Sequence, residues 1–407
     1  MKPSQTTAGR RWLTNFEGAD LPAATILIDS LRYVSLSAIW QGLSSRLAQL
    51  GREGKVDRPA VVFPERSMAD FGVPSDRRDS AVAYVDFDPG DPVGILSGSE
   101  GLMAMIIRDL PGMNSAKGSK EAVWLRPDIG LEGMRERRTR SVVVVTDYMG
   151  TGGQVLRFVR ALGRNRTIRS WLSFEWIDIH VVAFAASPLA LERVSVEKDV
   201  SGVWMVEAAP TFATAPWEPG VREAIVDLCE RKCGLRDSWA VGYEGSAGLF
   251  LTERGAPNNL PAIMWQSPPG WTPLFGDRAV PPEFARQIGD YRLRESLEDL
   301  AERSGQLRLG RNQRLANMRE ASRAALKMLI LLAEGRRNVA VLAAQLGIDI
   351  SDAEIFFGLL ERLEWVDRAG TITEAGRAEI AANRRGLRRT TANLTGSADP
   401  YYPHSLR

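Results

Sequence analysis

The chain has 407 residues, 44% of them hydrophobic, with 52 Lys and Arg against 50 Asp and Glu for a formal net charge of +2. That length and apolar content predict two or three globular domains with substantial cores. No run reaches the roughly 18 apolar residues of a membrane span, and Met1 to Thr7 lack the apolar core of a signal peptide, so a cytoplasmic location is expected. The two cysteines, Cys229 and Cys233, stand four apart on one predicted helix and are too few for a zinc site. With His180 in an apolar run and His404 in a polar tail, a Ser/His/Asp triad or a histidine metal centre has little to draw on. Chemistry carried by carboxylates, backbone amides and magnesium does not meet that shortage.

In chain order, residues 1–20 are polar. Leu21 to Leu50 reads as two helices around Tyr33-Val34-Ser35, the second burying Ile39, Leu43 and Leu47. Strand patterns follow at Ala81 to Phe87 and Val93 to Ser97. The second opens into Gly98-Ser99-Glu100-Gly101 and a helix with Leu102, Met105, Ile106 and Leu110 at helical spacing, stopped by Pro111 and Gly112. Residues 111–140 are rich in Gly, Lys and Arg. Lys117 and Lys120 there fit a solvated loop followed by a charged helix.

The most informative stretch is Val142-Val143-Val144-Val145-Thr146-Asp147-Tyr148-Met149-Gly150-Thr151-Gly152-Gly153-Gln154. Four β-branched residues without alternation fit a central parallel strand covered on both faces. Asp147 then falls at the strand's C-terminal edge, where open α/β sheets hold ligands. Gly150, Gly152 and Gly153 permit positive φ and close backbone approach, and Val155, Leu156, Phe158, Val159 and Leu162 make one helical stripe just beyond. A glycine turn at a helix N-terminus binds a phosphate. No lysine follows, as in a P-loop, and the GxGxxG spacing fails. The plain alternative is an acid that ends a strand and an ordinary tight turn.

Further on, Trp176 to Ala186 and Gly202 to Val206 read as strands, with helices at Pro188 to Val196 and Gly220 to Lys232. The alternation predicts a doubly wound, mostly parallel α/β sheet. After Gly248-Leu249-Phe250-Leu251 comes a turn-rich, aromatic segment. Its Asn258, Asn259, Trp265 and Trp271 either wall a ligand site or are packed loop residues. Between Arg303 and Lys327 stand seven basic residues against Glu320 alone, the local feature that fits nucleic acid. Three helical stretches (Ala324 to Glu334, Val339 to Leu346, Ala353 to Leu363), a hairpin tipped by Ala369-Gly370 and a helix from Glu374 to Ala382 then read as a winged helix-turn-helix. Its second turn helix carries Asp352, Glu354, Glu361 and Glu364 against Arg362, which favours a protein partner over base readout.

The strand, acid and Thr151-Gly152-Gly153-Gln154 turn resemble the ribose-phosphate loop of type I phosphoribosyltransferases. Pro257-Asn258-Asn259-Leu260-Pro261, Trp265 and Trp271-Thr272-Pro273-Leu274-Phe275 further resemble a phosphoribosyltransferase-like group of bacterial conflict and antiphage defence genes, some beside retron reverse transcriptases. The resemblance covers residues from about 25 to 280; with the patterns on either side it gives expected domains at 1–55 (helical extension), 56–282 (phosphoribosyltransferase-like), 283–320 (helical connector), 321–383 (winged helix-turn-helix) and 384–407 (basic tail). It implies that Asp147 acts on the ribose hydroxyls and on a magnesium-bound water. Thr146 and Gly150 to Gln154 would take the ribose phosphate, Ser97, Gly98, Ser99, Glu100 and Gly101 the pyrophosphate, and Lys117 and Lys120 would lie on a lid. Thr146 stands where the family places its first acid. The implied ligand is phosphoribosyl pyrophosphate or a nucleotide with Mg2+, the implied role that of a defence effector or accessory component, enzymatic or not. The alternative is a regulator that senses the same ligand without turnover and binds DNA through the winged helix. A homo-oligomer is a further partner to consider.

Overall fold

The computed structural model describes residues 1–91, 107, 124–234, 239–289, 320–337, 339–346, 348 and 350–384. The chain divides into one unit of 1–295 with 338–355 and another of 296–337 with 356–407. The first unit opens with α1 (Thr7–Leu13), α2 (Asp20–Asp29), β1 (Arg32–Val34) and α3 (Leu36–Arg52), then β2 (Ala60–Pro64) and β3 (Trp124–Leu125). Next come α4 (Gly130–Glu136), β4 (Ser141–Met149), α5 (Gly153–Arg164), α6 (Arg166–Ser173) and β5 (Asp178–Ala186). They are followed by α7 (Pro188–Ser195), β6 (Gly202–Ala208), α8 (Val221–Lys232), β7 (Phe250–Thr252) and α9 (Pro282–Ile288).

Five of these strands form one parallel sheet in the order β3-β2-β4-β5-β6. Every residue of β2 is buried, as is Val142 to Val145, which explains why neither run alternates in polarity. Ile39, Leu43 and Leu47 of α3 join Val143, Val145, Val182 and Phe184 in one core. In α5, Phe158, Val159 and Leu162 are also buried, and the Phe158 ring lies 6.4 Å from that of Phe63 on β2. A second core gathers α1, α2, α8 and the 249–288 segment around Trp12, whose indole nitrogen donates to the Ile263 carbonyl at 2.9 Å. Between the cores, β1 and β7 pair in parallel, and the Arg32 guanidinium holds Glu207 of β6 through two bonds of 2.9 and 3.1 Å. Among the described residues no helix is long and apolar enough to cross a membrane.

The strand order fixes where a ligand can enter. Progression runs outward from β2 to β3, then returns to the other side of β2 for β4, β5 and β6. Connections therefore leave the C-terminal ends of β2 and β4 in opposite directions, and the crevice between those ends is the topological switch point of the sheet.

Three expectations change. Ala81 to Phe87 is not a strand: a single bridge joins Ala83 to Phe87 around Tyr84 at φ +60°, while the Asp86 carboxylate accepts from the Val82 amide. A local acid thus closes a turn where the apolar pattern predicts a ladder. Tyr33 and Val34 do not merely separate two helices; they form β1, held by the Arg32 amide donating to Leu249. The third change is that β4 runs on through Met149, so Asp147 stands two residues before the strand's C-terminal end. The Val93 to Ser97 strand, the loop to Gly101 and the helix beyond it fall outside the described residues, apart from Ile107.

The second unit contains α10 (Glu320–Ala333), and α11 (Val339–Leu346) belongs to the first; α12 (Ile350–Arg362) begins in the first and ends in the second, which closes with α13 (Glu374–Arg384). Between α12 and α13 a tight hairpin bridges Val366 to Ile372, with Gly370 at φ +73° and the Asp367 carboxylate accepting the Ala369 and Thr371 amides. Of the basic run from Arg303 to Lys327, Arg323 and Lys327 lie on α10, and the residues before 320 are outside the described set.

Candidate functional site

A cavity of about 650 Å³ opens at the switch point. Its floor is the end of β4 with Thr146 and Asp147, one flank is the glycine turn into α5, and the opposite wall comes from residues 252–259 after β7. The structure brings Thr146, Asp147, Gly150, Thr151, Gly152, Gly153 and Gln154 together on this one surface. Thr146 is buried and Asp147 half-buried.

The three glycines have different physical reasons. Gly152 adopts φ +76° as the N-cap of α5, a conformation that a β-carbon disfavours, and its own β-carbon would stand 2.9 Å from Val194. Gly150 has no positive φ; there a β-carbon would meet the Asn259 side chain at 2.1–2.4 Å. Gly153 also lacks a positive φ, and its nearest neighbours would be Thr151 Oγ1 at 3.6 Å and an Arg157 nitrogen at 3.8 Å. Its open side faces the cavity. No side chain caps α5. The first amides of a helix have no intrahelical acceptor, so they and the helix dipole present about half a positive charge to this end of the cavity. Arg157, one turn along, lines the same surface and pairs with exposed Asp79 at 3.0 Å.

The scaffold behind the turn is fixed by hydrogen bonds. Ser187 Oγ donates to the Gly150 carbonyl at 2.5 Å and accepts the Ala190 amide as the cap of α7. Buried Asn259 donates to Ser246 Oγ at 2.8 Å and presses on Gly150. Asn258 and Asn259 line the cavity. The indoles of Trp265 and Trp271 instead close loop carbonyls, those of Leu260 and Ile263, and the Arg278 guanidinium stacks on Trp265 at 4.4 Å. They are packed loop residues and not walls of this cavity.

The residue that sequence reasoning passed over is Glu65. It follows β2 directly, is 7% exposed, lines the cavity and accepts a hydrogen bond from Thr146 Oγ1 at 3.4 Å. Its signal was the run Ala60-Val61-Val62-Phe63-Pro64 ending in an acid, the same strand-then-carboxylate pattern as Val142 to Asp147 without the glycines. Ser97 to Gly101, Lys117 and Lys120 lie outside the described residues. His180, on β5, is away from the cavity; burial holds it below its ordinary pKa, against the opposing pull of Asp178 and Asp57. Cys229 is buried among apolar side chains, as a core thiol.

Among the described residues no group of three or more His, Cys, Asp or Glu gathers as a metal cage. Glu65 and Asp147, two of the carboxylates that line the cavity with Glu244, suit a hard cation that keeps most of its shell on water and ligand phosphate.

Comparison with known proteins gives the same frame. A family model described as PRTase-CE matches residues 10–276, and a second, described as wHTH-PRTase associated, matches residues 326–407. No curated protein and no solved structure gives a match. The first model spans well over half of the chain, which therefore belongs to the PRTase-CE family, with a phosphoribosyltransferase-like domain followed by a C-terminal winged helix-turn-helix domain.

Proposed function

We propose that the cavity binds a phosphorylated ribose, either phosphoribosyl pyrophosphate or a nucleotide. The observation that carries this reading is the pairing, at one switch point, of carboxylates on the strand ends with an uncapped helix N-terminus behind a left-handed glycine. The amides of Gly153 and Gln154, with Arg157, would take the phosphate, and Asp147 would accept from the ribose hydroxyls. Magnesium, held by ligand phosphates and by Asp147 through water, would neutralise charge on a diphosphate. If turnover occurs, the anionic strand ends are suited to stabilising positive charge that develops on the ribose ring as the diphosphate departs.

Gly153→Asp tests the phosphate end. Its side chain has room, and an acid in the first turn suits a helix, so the fold should persist while a carboxylate occupies the anion site. Calorimetric titration of the wild type with phosphoribosyl pyrophosphate, ribose 5-phosphate and AMP should show binding that this variant loses by about tenfold or more. Wild-type protein that binds none of them, or a variant that binds equally well, would overturn the reading. Release of pyrophosphate or free base, abolished in Asp147→Asn, would establish turnover.

The charge of the winged helix supports a reading of its partner. With Asp352, Glu354 and Glu361 against Arg362 on α12, we assign it a protein partner in preference to DNA bases. A role as effector or accessory component in antiphage defence rests on the sequence resemblance; phage challenge of cells carrying the wild type or Asp147→Asn tests it.

A further inference from the structure

We propose that Glu65 supplies the second carboxylate of the ribose site, so that the acidic pair on the sugar hydroxyls comes from two adjacent strands and not from consecutive residues of one. The proposal rests on the phosphoribose reading above and assigns the hydroxyl end of that same ligand.

Register sets the position. Pro64 pairs with Val145, and the Glu65 amide donates to the Val145 carbonyl at 2.8 Å, which carries the ladder one residue further and sets Glu65 opposite Thr146. Neighbours directly across parallel strands project to the same face, so the longer glutamate reaches over the shorter threonine. Glu65 Oε2 then lies 3.4 Å from Thr146 Oγ1, at the mouth of the crevice that also holds Asp147. A carboxylate 7% exposed is costly to bury, and this one stands beside a cavity directly after the apolar residues of β2. Arg66, next in the chain, turns elsewhere: it stacks on Phe71 at 4.1 Å and donates to the Asp91 carbonyl at 3.0 Å. Asp147, one residue beyond Thr146, also lines the cavity, so the two carboxylates supply the number of acceptors that a ribose cis-diol needs, and the threonine hydroxyl orients Glu65. On this reading Thr146 is not a lost acid. It is the positioning residue for an acid delivered from β2.

The consequence is discrimination between sugars. The probes are ribose 5-phosphate and 2-deoxyribose 5-phosphate, which share the phosphate and differ by one hydroxyl, with inorganic phosphate as the reference for the other end of the cavity. Wild-type protein should prefer the ribose compound by about tenfold or more, as expected for a hydrogen bond to a charged acceptor. Glu65→Gln, which keeps the shape and an acceptor for Thr146, should bring that ratio close to one while inorganic phosphate binds as before. Moving the acid onto β4 in the double variant Glu65→Gln/Thr146→Asp should restore the preference, a rescue that a purely structural role for Glu65 would not give. Thermal unfolding checks the fold of each variant. Should Glu65→Gln not fold, Glu65→Asp is read in its place and should show a reduced ratio. A wild type that binds both sugars equally, or a Glu65→Gln that keeps the full preference, overturns this proposal and leaves the phosphate reading standing. A wild type that binds neither sugar phosphate nor inorganic phosphate overturns both.

Discussion

Replacing Gly150 by alanine probes how the cavity wall is held against the glycine turn. The new Cβ would stand 2.1 Å from Asn259 Oδ1, 2.3 Å from Cγ and 2.4 Å from Nδ2, far inside the roughly 3.5 Å of ordinary carbon contact. Gly150 has no positive φ, so its backbone accepts alanine, and the whole conflict lies with one side chain. Asn259 is buried and donates to Ser246 Oγ at 2.8 Å, and it cannot move away without giving up that bond. Leaving buried polar groups unmatched and forcing a packed side chain aside together should destabilise the fold by about 2–4 kcal/mol. Asn259→Ala removes all three clashing atoms and by itself should cost about 1–2 kcal/mol. The double variant should then be little worse than Asn259→Ala, with a coupling of about 1–3 kcal/mol favouring the pair. Urea unfolding of the four proteins, followed by tryptophan fluorescence, measures the cycle. If Gly150→Ala costs as much with alanine at 259 as with asparagine, the wall is not what confines Gly150.

Glu207→Gln leaves the buried Arg32 charge without its counter-charge, and the same urea assay should show a loss of about 3–5 kcal/mol. Arg157→Met breaks only an exposed pair with Asp79, so stability should change by about 1 kcal/mol or less; calorimetry should nevertheless show weaker inorganic phosphate binding. Burial holds His180 below its ordinary pKa, so the unfolded chain takes up that proton first as pH falls below about 6.5. Its contribution is therefore complete above that pH and is lost on acidification towards the folded value, and His180→Leu should flatten the fall of Tm between about pH 7.5 and 5.5. Burial pushes the Cys229 thiol well up from its ordinary value, with Cys233 and Glu230 adding to the rise, so a thiol reagent should modify Cys233 rapidly and Cys229 only after denaturation.

The parts of the fold that sequence exposes are those whose signal is local. The valines of β4, the stripe on α5 and the acid hairpin at Asp367 each declare themselves within a dozen residues, and the alternation through β5, α7 and β6 within one contiguous stretch. What stayed hidden depended on pairing at a distance. A five-residue β2 that follows Pro59 and ends in Pro64 is too short to show a period, and it becomes an interior strand only because β4 and β3 take its two edges. Tyr33 and Val34 sit between two helices and become a strand because β7, more than 200 residues away, offers a partner. Conversely, Ala81 to Phe87 carries a strand's composition, but Asp86 captures the Val82 amide locally and no neighbour competes for it. The site divides in the same way. Asp147 and the glycines are contiguous and visible, whereas Glu65 is 82 residues upstream of Asp147 and meets it through strand order alone.

That division bears on how the cavity orients a ligand. Glu65 and Asp147 lie on the strand side of the cavity and the uncapped α5 terminus and Arg157 across the glycine turn, while Glu244 and Arg254 also line it. The separation is enforced by the backbone, since Gly152 at φ +76° reverses the chain between the last residue of β4 and the first of α5, and Ser187 ties the turn down through Gly150. On the phosphoribose reading, a molecule with hydroxyls at one end and a phosphate at the other would turn its hydroxyls to Glu65 and Asp147; reversed, it would set phosphate against those carboxylates. A purely basic pocket would bind such a molecule either way round. On that same phosphoribose reading, carboxylates on the strand side and amides with Arg157 across the turn would set the ligand's orientation before any step of chemistry, with Glu65 marking the hydroxyl end.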